Sequence, residues 1–582
     1  MPLDTISAAS AASAEDAATE IALLEGRPWT ISLDARNKEL FDSADPIIVQ
    51  VVSQACGKRL DRGPVPLVTL VKKRADIRAF ATNYRDMPHY LNQLLALADF
   101  LDSRTSGDVD ELTRKIMERI AGGVVTFTDL PSLIPAGTRI ISTSNGMQTG
   151  AIVTSSRIES YSSAFGGRHR YFEMTVRQHA HSHKGLHPVE TCIYLGDFRG
   201  IMAIGSLDVR PASEEEIAAL AERGRKVREV ASGSSHVEYE GTMIAVQGWR
   251  TVQRPATGRV MIDAATLEHA SPDNYSSLAG MLRVPYNRHH AGQQQTGDGT
   301  NDSIPEDELF TVNPLVIGFS LACKSWGLFD VTRIKPAVYN KEAFDLLVQD
   351  ADTKGLLRSV IRSSGAGFTD IIRGKGGGTT ILLHGSAGVG KTLTAEAVSD
   401  LLERPLYSIA VGELGSTPEQ LEKGLSTVLG YASAWNAVLL LDEADIYMER
   451  RDSNNIARNA MVAIFLRLLE YYNGVLILTT NRVKEFDEAF HSRIALAIHY
   501  PGLDEDSRLA VWGNLLTAAG LTHIDPASFA EFDLNGRQIK NTIRMAMNLA
   551  ADQDVPVGPE HISQVLRVIL RFRQDLEDAR KA

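Results

Sequence analysis

Three short apolar runs stand out in the second half of the chain: TILL at residues 380–383, AVLLL at 437–441 and VLIL at 475–478. None shows the polar alternation of a half-exposed strand, so each predicts a strand buried on both faces, as in a parallel sheet covered by helices. The stretch after the first run, TLTAEAVSDLL at 392–402, has the apolar spacing of a helix. Further upstream the texture differs. Residues 124–266 carry short β-branched and aromatic runs punctuated by Gly, Pro, Asn and Ser, which predicts a β-rich region. One helix interrupts it at 213–230, where Ser213 is followed by three Glu residues, a cap that suits the helix dipole. YLNQLLALADFL at 90–101 and VDELTRKIMERI at 109–120 also have helical spacing, and the polar tract at 287–308 predicts a loop or linker.

A chain of 582 residues exceeds what one core supports, so several domains are expected. The pattern divides it into a flexible arm (1–30), a mixed and partly helical region (31–122), a β-rich domain (123–340, with the polar linker at about 287–308), an α/β core (341–501) and a helical C-terminal part (502–582). Composition is that of an ordinary globular protein, with 44% hydrophobic and 23% charged residues. A net charge of -12 provides no basic footprint, so no nucleic-acid partner is expected. Cys56, Cys192 and Cys323 are far apart and lack ligand spacing; they read as packing thiols in a reducing compartment. Before Arg27 the N-terminus has acids and no Lys or Arg, unlike a secretory or transit leader, and no apolar run reaches membrane-spanning length. The expectation is an intracellular protein, cytoplasmic or nuclear, with no membrane span.

The turn from the first apolar run into its helix reads GSAGVGKT at 385–392. In a strand–loop–helix setting this pattern suits a phosphate: glycines let successive N–H groups curl around its oxygens, and the helix N-terminus adds its positive end. Gly385, Ser386, Ala387, Gly388, Val389, Gly390, Lys391, Thr392 and Leu393 are therefore the candidate ATP-binding residues. Lys391 would neutralise the β- and γ-phosphates, and the Thr392 hydroxyl would hold Mg²⁺. The second run ends in acids, LLLDEAD. There Asp442 would reach Mg²⁺ through water and Glu443 would orient and deprotonate an attacking water, although acids at a strand tip also serve as helix caps. The third run ends in Asn481, which would position that water; alone, it reads equally well as a turn residue.

GSAGVGKT, LLLDEAD, LTTNR and FDEAFHSRI, in this order, resemble the AAA ATPase family, and most of all a group of fungal AAA ATPases with a long N-terminal region containing a β-rich domain of unknown function. The likeness continues upstream through VIGFSLACKSWGLFDV (316–331) and the ERGRKV helix. It implies an α/β fold: a P-loop AAA core with a parallel sheet flanked by helices, a C-terminal helical lid, and an N-terminal α+β, β-rich region. By this resemblance Lys391 and Thr392 are the Walker A pair, Asp442 and Glu443 the Walker B pair, and Asn481 sensor 1. Arg493 in HSRI is the arginine finger that enters a neighbouring subunit, and Arg537 in NGRQIKN is sensor 2. Asp370 and Ile371 line the adenine. Taken singly, Arg493 and Arg537 also read as surface salt bridges. ATP and Mg²⁺ are the implied cofactors, and a homo-oligomeric ring, usually a hexamer, the implied assembly. Two departures stand out. GELGSTPEQ at 412–420 lacks the aromatic of a threading pore loop, and the finger region has Arg493 without the second arginine of the common form.

The function these observations imply is ATP hydrolysis coupled to remodelling of a protein or complex held by the N-terminal region. A slowly hydrolysing, nucleotide-gated scaffold is the alternative, and a small-molecule kinase a weaker one. His179, His181, His183 and His187 lie within nine positions in RQHAHSHKGLHP; they read as a solvated loop between strands, with adventitious metal binding as the other possibility.

Overall fold

The computed structural model describes residues 29–33, 39–43, 45–56, 65–85, 87–103, 107–144, 147–162, 168–248, 250–283, 304–363, 378–450, 455–482 and 487–581. Residues 1–28 of the expected arm (1–30) and most of the 287–308 tract lie outside these; Trp29 and Thr30, counted with the arm, instead begin a strand, with Trp29 buried. By contacts the chain forms two units, one of residues up to Leu133 with Phe198–Leu207, the other of Ile134–Asp197 with Asp208–Ala582.

In the first unit, an antiparallel sheet of Trp29–Leu33, Glu39–Ser43 and Val65–Pro66 accompanies the helices Pro46–Cys56, Arg74–Ala81, Pro88–Ser103 and Gly107–Ala121. The helical spacing at 90–101 buries Leu94, Leu97 and Leu101 with Trp29, Phe41, Ile48 and Leu70. Spacing of three and four residues puts these leucines on one helix face, which is the reason this segment is helical.

The second unit combines two antiparallel sheets with one parallel sheet. In the first antiparallel sheet the order is Val209–Pro211, Arg139–Ser144, Met147–Ser162, Arg168–Ser182, Gly185–Gly196. In the second it is Arg250–Ile262, Leu315–Ser320, Ser325–Asp330, Ser235–Gln247, Ile334–Pro336; Ser235–Gln247 also pairs along its length with Arg250–Ile262, so this sheet closes on itself. The expected helix runs Glu214–Val230, capped by Ser213 and Glu216 in a reciprocal capping box. The end of the polar tract is built into the fold: Glu306–Thr311 is a 3-10 turn whose Leu309 and Phe310 are fully buried.

One sequence expectation is overturned here. The histidines do not sit in a solvated loop. His179 and His181 lie on the strand Arg168–Ser182 and His187 on its hairpin partner Gly185–Gly196, all three buried, with His183 at the turn. The two-residue period puts His179 and His181 on one face, against a segment more than a hundred residues away: His179 Nδ1 is 2.7 Å from the Thr311 hydroxyl, and His181 Nδ1 accepts the Ile317 N–H at 3.1 Å. No group of three or more His, Cys, Asp or Glu suited to a metal occurs among the described residues.

The three apolar runs are strands of one five-stranded parallel sheet. Its elements are β1 (Thr379–Gly385), α1 (Lys391–Leu401), β2 (Leu406–Ala410), α2 (Pro418–Ala434), β3 (Val438–Asp442), α3 (Ile456–Glu470), β4 (Val475–Thr480) and β5 (Leu496–Tyr500), with strand order β2-β3-β4-β1-β5. Every pairing is parallel. Three longer helices follow, α4 (Glu505–Ala518), α5 (Gly536–Asp552) and α6 (Pro559–Lys581), around a separate core of Trp512, Leu516, Ile539 and Ile562. Among the described residues, no helix is long and apolar enough to cross a membrane.

The β-rich part and the parallel sheet share a core. Phe319 and Trp326 of the closed sheet pack with Tyr407 of β2, Tyr431 of α2 and Trp435 at its end: Phe319 lies 5.2–5.7 Å from each of the other four rings, centroid to centroid, and Trp435 5.2–5.9 Å from each of its four. The Trp435 indole donates to Asp263 Oδ2 at 3.0 Å and the Trp326 indole to the Tyr431 hydroxyl at 3.0 Å. Nearby, Arg259 pairs with Asp400 at 2.6 Å, and Lys324 pairs with Glu413.

Candidate functional site

The site is built at the carboxyl ends of β1, β3 and β4, where a parallel sheet opens toward ligands. β1 ends in Gly385, and the loop to α1 turns through Gly385, Gly388 and Gly390 at φ 144°, 79° and 108°. This is left-handed or extended backbone that a Cβ would strain. Space is as tight as conformation: a Cβ on Gly388 would lie 2.7 Å from the Asn535 side chain. Ser386 and Ala387 are exposed at the loop's crown, and Val389 packs against the core below. Lys391 opens α1, followed by half-buried Thr392 and exposed Leu393.

Lys391 is the hub. Its ammonium donates to the carbonyls of Gly385 at 2.8 Å and Ser386 at 2.7 Å and to Asn481 Oδ1 at 2.7 Å. Burial pulls its pKa below the ordinary lysine value; the nearby Asp442, Asp445 and Glu443 oppose this and Arg537 adds to it. Of the residues singled out in the sequence, Lys391, Asp442, Glu443, Asn481 and Arg537 thus converge around one amine. Arg537 arrives through α5, whose cap residue Asn535 touches Gly388.

The acids are held by two threonines that end β4. Thr479 donates its hydroxyl to Asp442 Oδ1 and accepts the Glu443 N–H at 3.0 Å; Thr480 donates to Asp445 Oδ1 and accepts the Arg482 N–H at 2.9 Å. Glu443 sits at φ 57° with its side chain exposed. His384, just before the glycine loop, packs against His499 of β5 with ring centroids 4.9 Å apart and planes tilted by 34°, and burial, His499 and Lys391 hold its pKa low.

Arg493 is placed elsewhere. Its guanidinium donates to the Ala489 carbonyl at 2.9 Å and pairs with Glu470 at the end of α3 at 3.1 Å. Asp370 and Ile371 lie outside the described residues. The sequence reading missed Asp445, Thr479 and Thr480 as parts of the site. Their signal was available, since two hydroxyls close an otherwise apolar strand directly before Asn481.

Residues 381–501 match the family model of the ATPase family associated with various cellular activities (AAA). Residues 115–216 match that of a domain of unknown function, DUF7025. No curated protein matches the chain. The first match supports an ATPase of the AAA family, and the parallel sheet flanked by helices is compatible with it. The second agrees with a β-rich N-terminal region of unassigned role.

Proposed function

We propose that the chain binds and hydrolyses ATP as a homo-oligomeric ring, a hexamer by family resemblance, and remodels a protein or complex held by its β-rich region. The observation that carries this is the convergence on Lys391 of the glycine loop, the β3 acids, Asn481 and Arg537. Gly385 to Leu393 would cradle the phosphates, their N–H groups and Lys391 replacing water as partners of the phosphate oxygens. The Asp370–Ile371 segment would line the base. An all-oxygen pair, the Thr392 hydroxyl and the Asp442 carboxylate, fits Mg²⁺. Bound Mg²⁺ supplies neutralisation of the phosphate charge. Glu443 would take the proton of the attacking water, and Asn481, released from Lys391, would orient that water. The helices from α4 onward would form the lid, carrying Arg537 over the phosphates. Arg493, tethered to Glu470 at the end of α3, would reach the site of the next subunit.

One observation favours the slower scaffold reading. The segment where threading motors carry a pore loop has Val411 and Leu414 buried, Glu413 paired with Lys324, and the Gly415 carbonyl held by the Tyr447 hydroxyl at 2.8 Å. Such a loop has little freedom to grip a polypeptide.

Steady-state ATPase rates of wild type, Glu443→Gln and Arg493→Ala, with solution mass measured with and without ATP, separate the readings. Turnover by wild type, an ATP-trapped ring in Glu443→Gln, and binding without turnover in Arg493→Ala support the motor. A wild type that binds ATP but hydrolyses it no faster than Glu443→Gln replaces the motor with the scaffold.

A further inference from the structure

β4 is buried on both faces along VLILTT, and a hydroxyl in such a strand is unfavourable unless it is partnered. Thr479, 1% exposed, has its partners outside its own strand. Its Oγ1 donates to Asp442 Oδ1 and accepts the Glu443 N–H at 3.0 Å, while its carbonyl accepts the Ala444 N–H at 3.0 Å. One residue therefore grips three consecutive positions of the turn leaving β3. Glu443 within that turn is at φ 57°, a region a non-glycine residue occupies only when its surroundings hold it there. Thr480 points to the opposite face and serves Asp445 instead, so it cannot substitute for its neighbour.

We infer that Thr479 is a positioning residue for the proposed ATPase site: its single hydroxyl sets the Asp442 carboxylate toward the metal and fixes the backbone turn that aims Glu443 at the water. The inference rests on the reading of Asp442 and Glu443 given above. It predicts two separable losses when the hydroxyl goes. A misaimed Glu443 slows turnover, and a misaimed Asp442 weakens the contribution of Mg²⁺ to nucleotide affinity. A hydrogen bond to a charged group corresponds to roughly a tenfold to hundredfold effect.

The variants are Thr479→Val, which keeps shape and β-branching without the hydroxyl, and Thr479→Ser, which keeps the hydroxyl. The full chain is assayed for kcat and KM, and separately for affinity toward a fluorescent N-methylanthraniloyl ATP with and without Mg²⁺. The expected result for Thr479→Val is a kcat at least about tenfold down, with affinity in EDTA unchanged and the Mg²⁺-dependent gain in affinity reduced by a similar factor. Thr479→Ser should restore both. If Thr479→Val matches wild type in both assays, or Thr479→Ser is as impaired as Thr479→Val, the inference is overturned. If wild type does not turn over, the hydrolysis reading fails, while the Mg²⁺ arm still decides the positioning of Asp442. Should Thr479→Val not fold, Thr479→Ala against Thr479→Ser provides the same comparison.

Discussion

Truncating Trp435 tests whether the β-rich part and the parallel sheet are one cooperative body. Trp435 is 4% exposed at the end of α2, stacked on Tyr431 at 5.2 Å and 21°, with Phe319, Tyr407 and Trp326 within 5.9 Å. Trp→Ala at such a site costs about 3–5 kcal/mol. The ring pairs overlap with that figure, so they are not added to it. Trp435→Phe isolates the polar contribution, keeping a ring but losing the indole N–H to Asp263. Hydrogen bonds to charged groups contribute about 1.5–3 kcal/mol, but Asp263 keeps the Thr266 hydroxyl at 2.6 Å and the Thr266 N–H at 2.9 Å. The Phe variant should therefore lose only about 1–2 kcal/mol. Urea unfolding followed by far-UV circular dichroism, with limited proteolysis across the transition, measures both variants. The Ala variant should unfold at clearly lower urea and release the β-rich part ahead of the parallel sheet. If it stays within about 1 kcal/mol of wild type, or Phe and Ala prove equal, the seam is not the packed core described above.

Two further outcomes follow from the geometry. Gly388→Ala drives a Cβ to 2.7 Å from Asn535, the residue that caps α5 through the Gln538 N–H at 2.9 Å, and does so at φ 79°. Affinity for the fluorescent ATP should fall at least about tenfold and the melting temperature should drop, since losing a cap costs about 1 kcal/mol; unchanged affinity would refute the close approach of loop and helix. For His179 and His181, burial lowers the pKa from 6.5 to about 4. Arg177 and His187 add to this at His179, and Asp263 opposes it at His181. The unfolded chain thus binds more protons between pH 6.5 and 4, so stability is full above about 6.5 and falls as the pH drops toward 4, by several kcal/mol in all. His181→Asn should flatten that slope when denaturant midpoints are compared across the window; an unchanged slope would show that His181 is not held neutral.

What was legible in the sequence was local. The runs 380–383, 437–441 and 475–478 became β1, β3 and β4 because a parallel strand covered on both faces has no place for alternating polar residues. The glycine loop was legible because its pattern and its strand and helix flanks all lie in one short stretch. The histidines misled for the opposite reason. HAHSH looks like a polar loop until Thr311 and Ile317, far along the chain, cover one face of the strand. The aromatic seam was hidden in the same way: Phe319, Trp326, Tyr431 and Trp435 come from segments that nothing in the local pattern connects. Arg537 was placed from its motif alone, whereas its route to Lys391 depends on Asn535 packing on Gly388.

These non-local contacts bear on how the nucleotide site is connected to the rest of the chain. α1 begins at Lys391 and carries Asp400 in its last turn, where the carboxylate takes Arg259 at 2.6 Å and the Asn340 N–H at 3.0 Å. β2 leads into the segment whose Glu413 takes Lys324. The helix that follows the glycine loop and the segment after the sheet's edge strand are thus both tied to the closed β-sheet. Packed interiors deform little, so a body joined at three such points shifts as a whole or not at all. The core around Trp512 and Ile539 is separate from that body and meets the glycine loop through Asn535 and Gly536. A change at Lys391 is therefore passed to that separate core most directly where the loop touches α5, at Gly388 against Asn535.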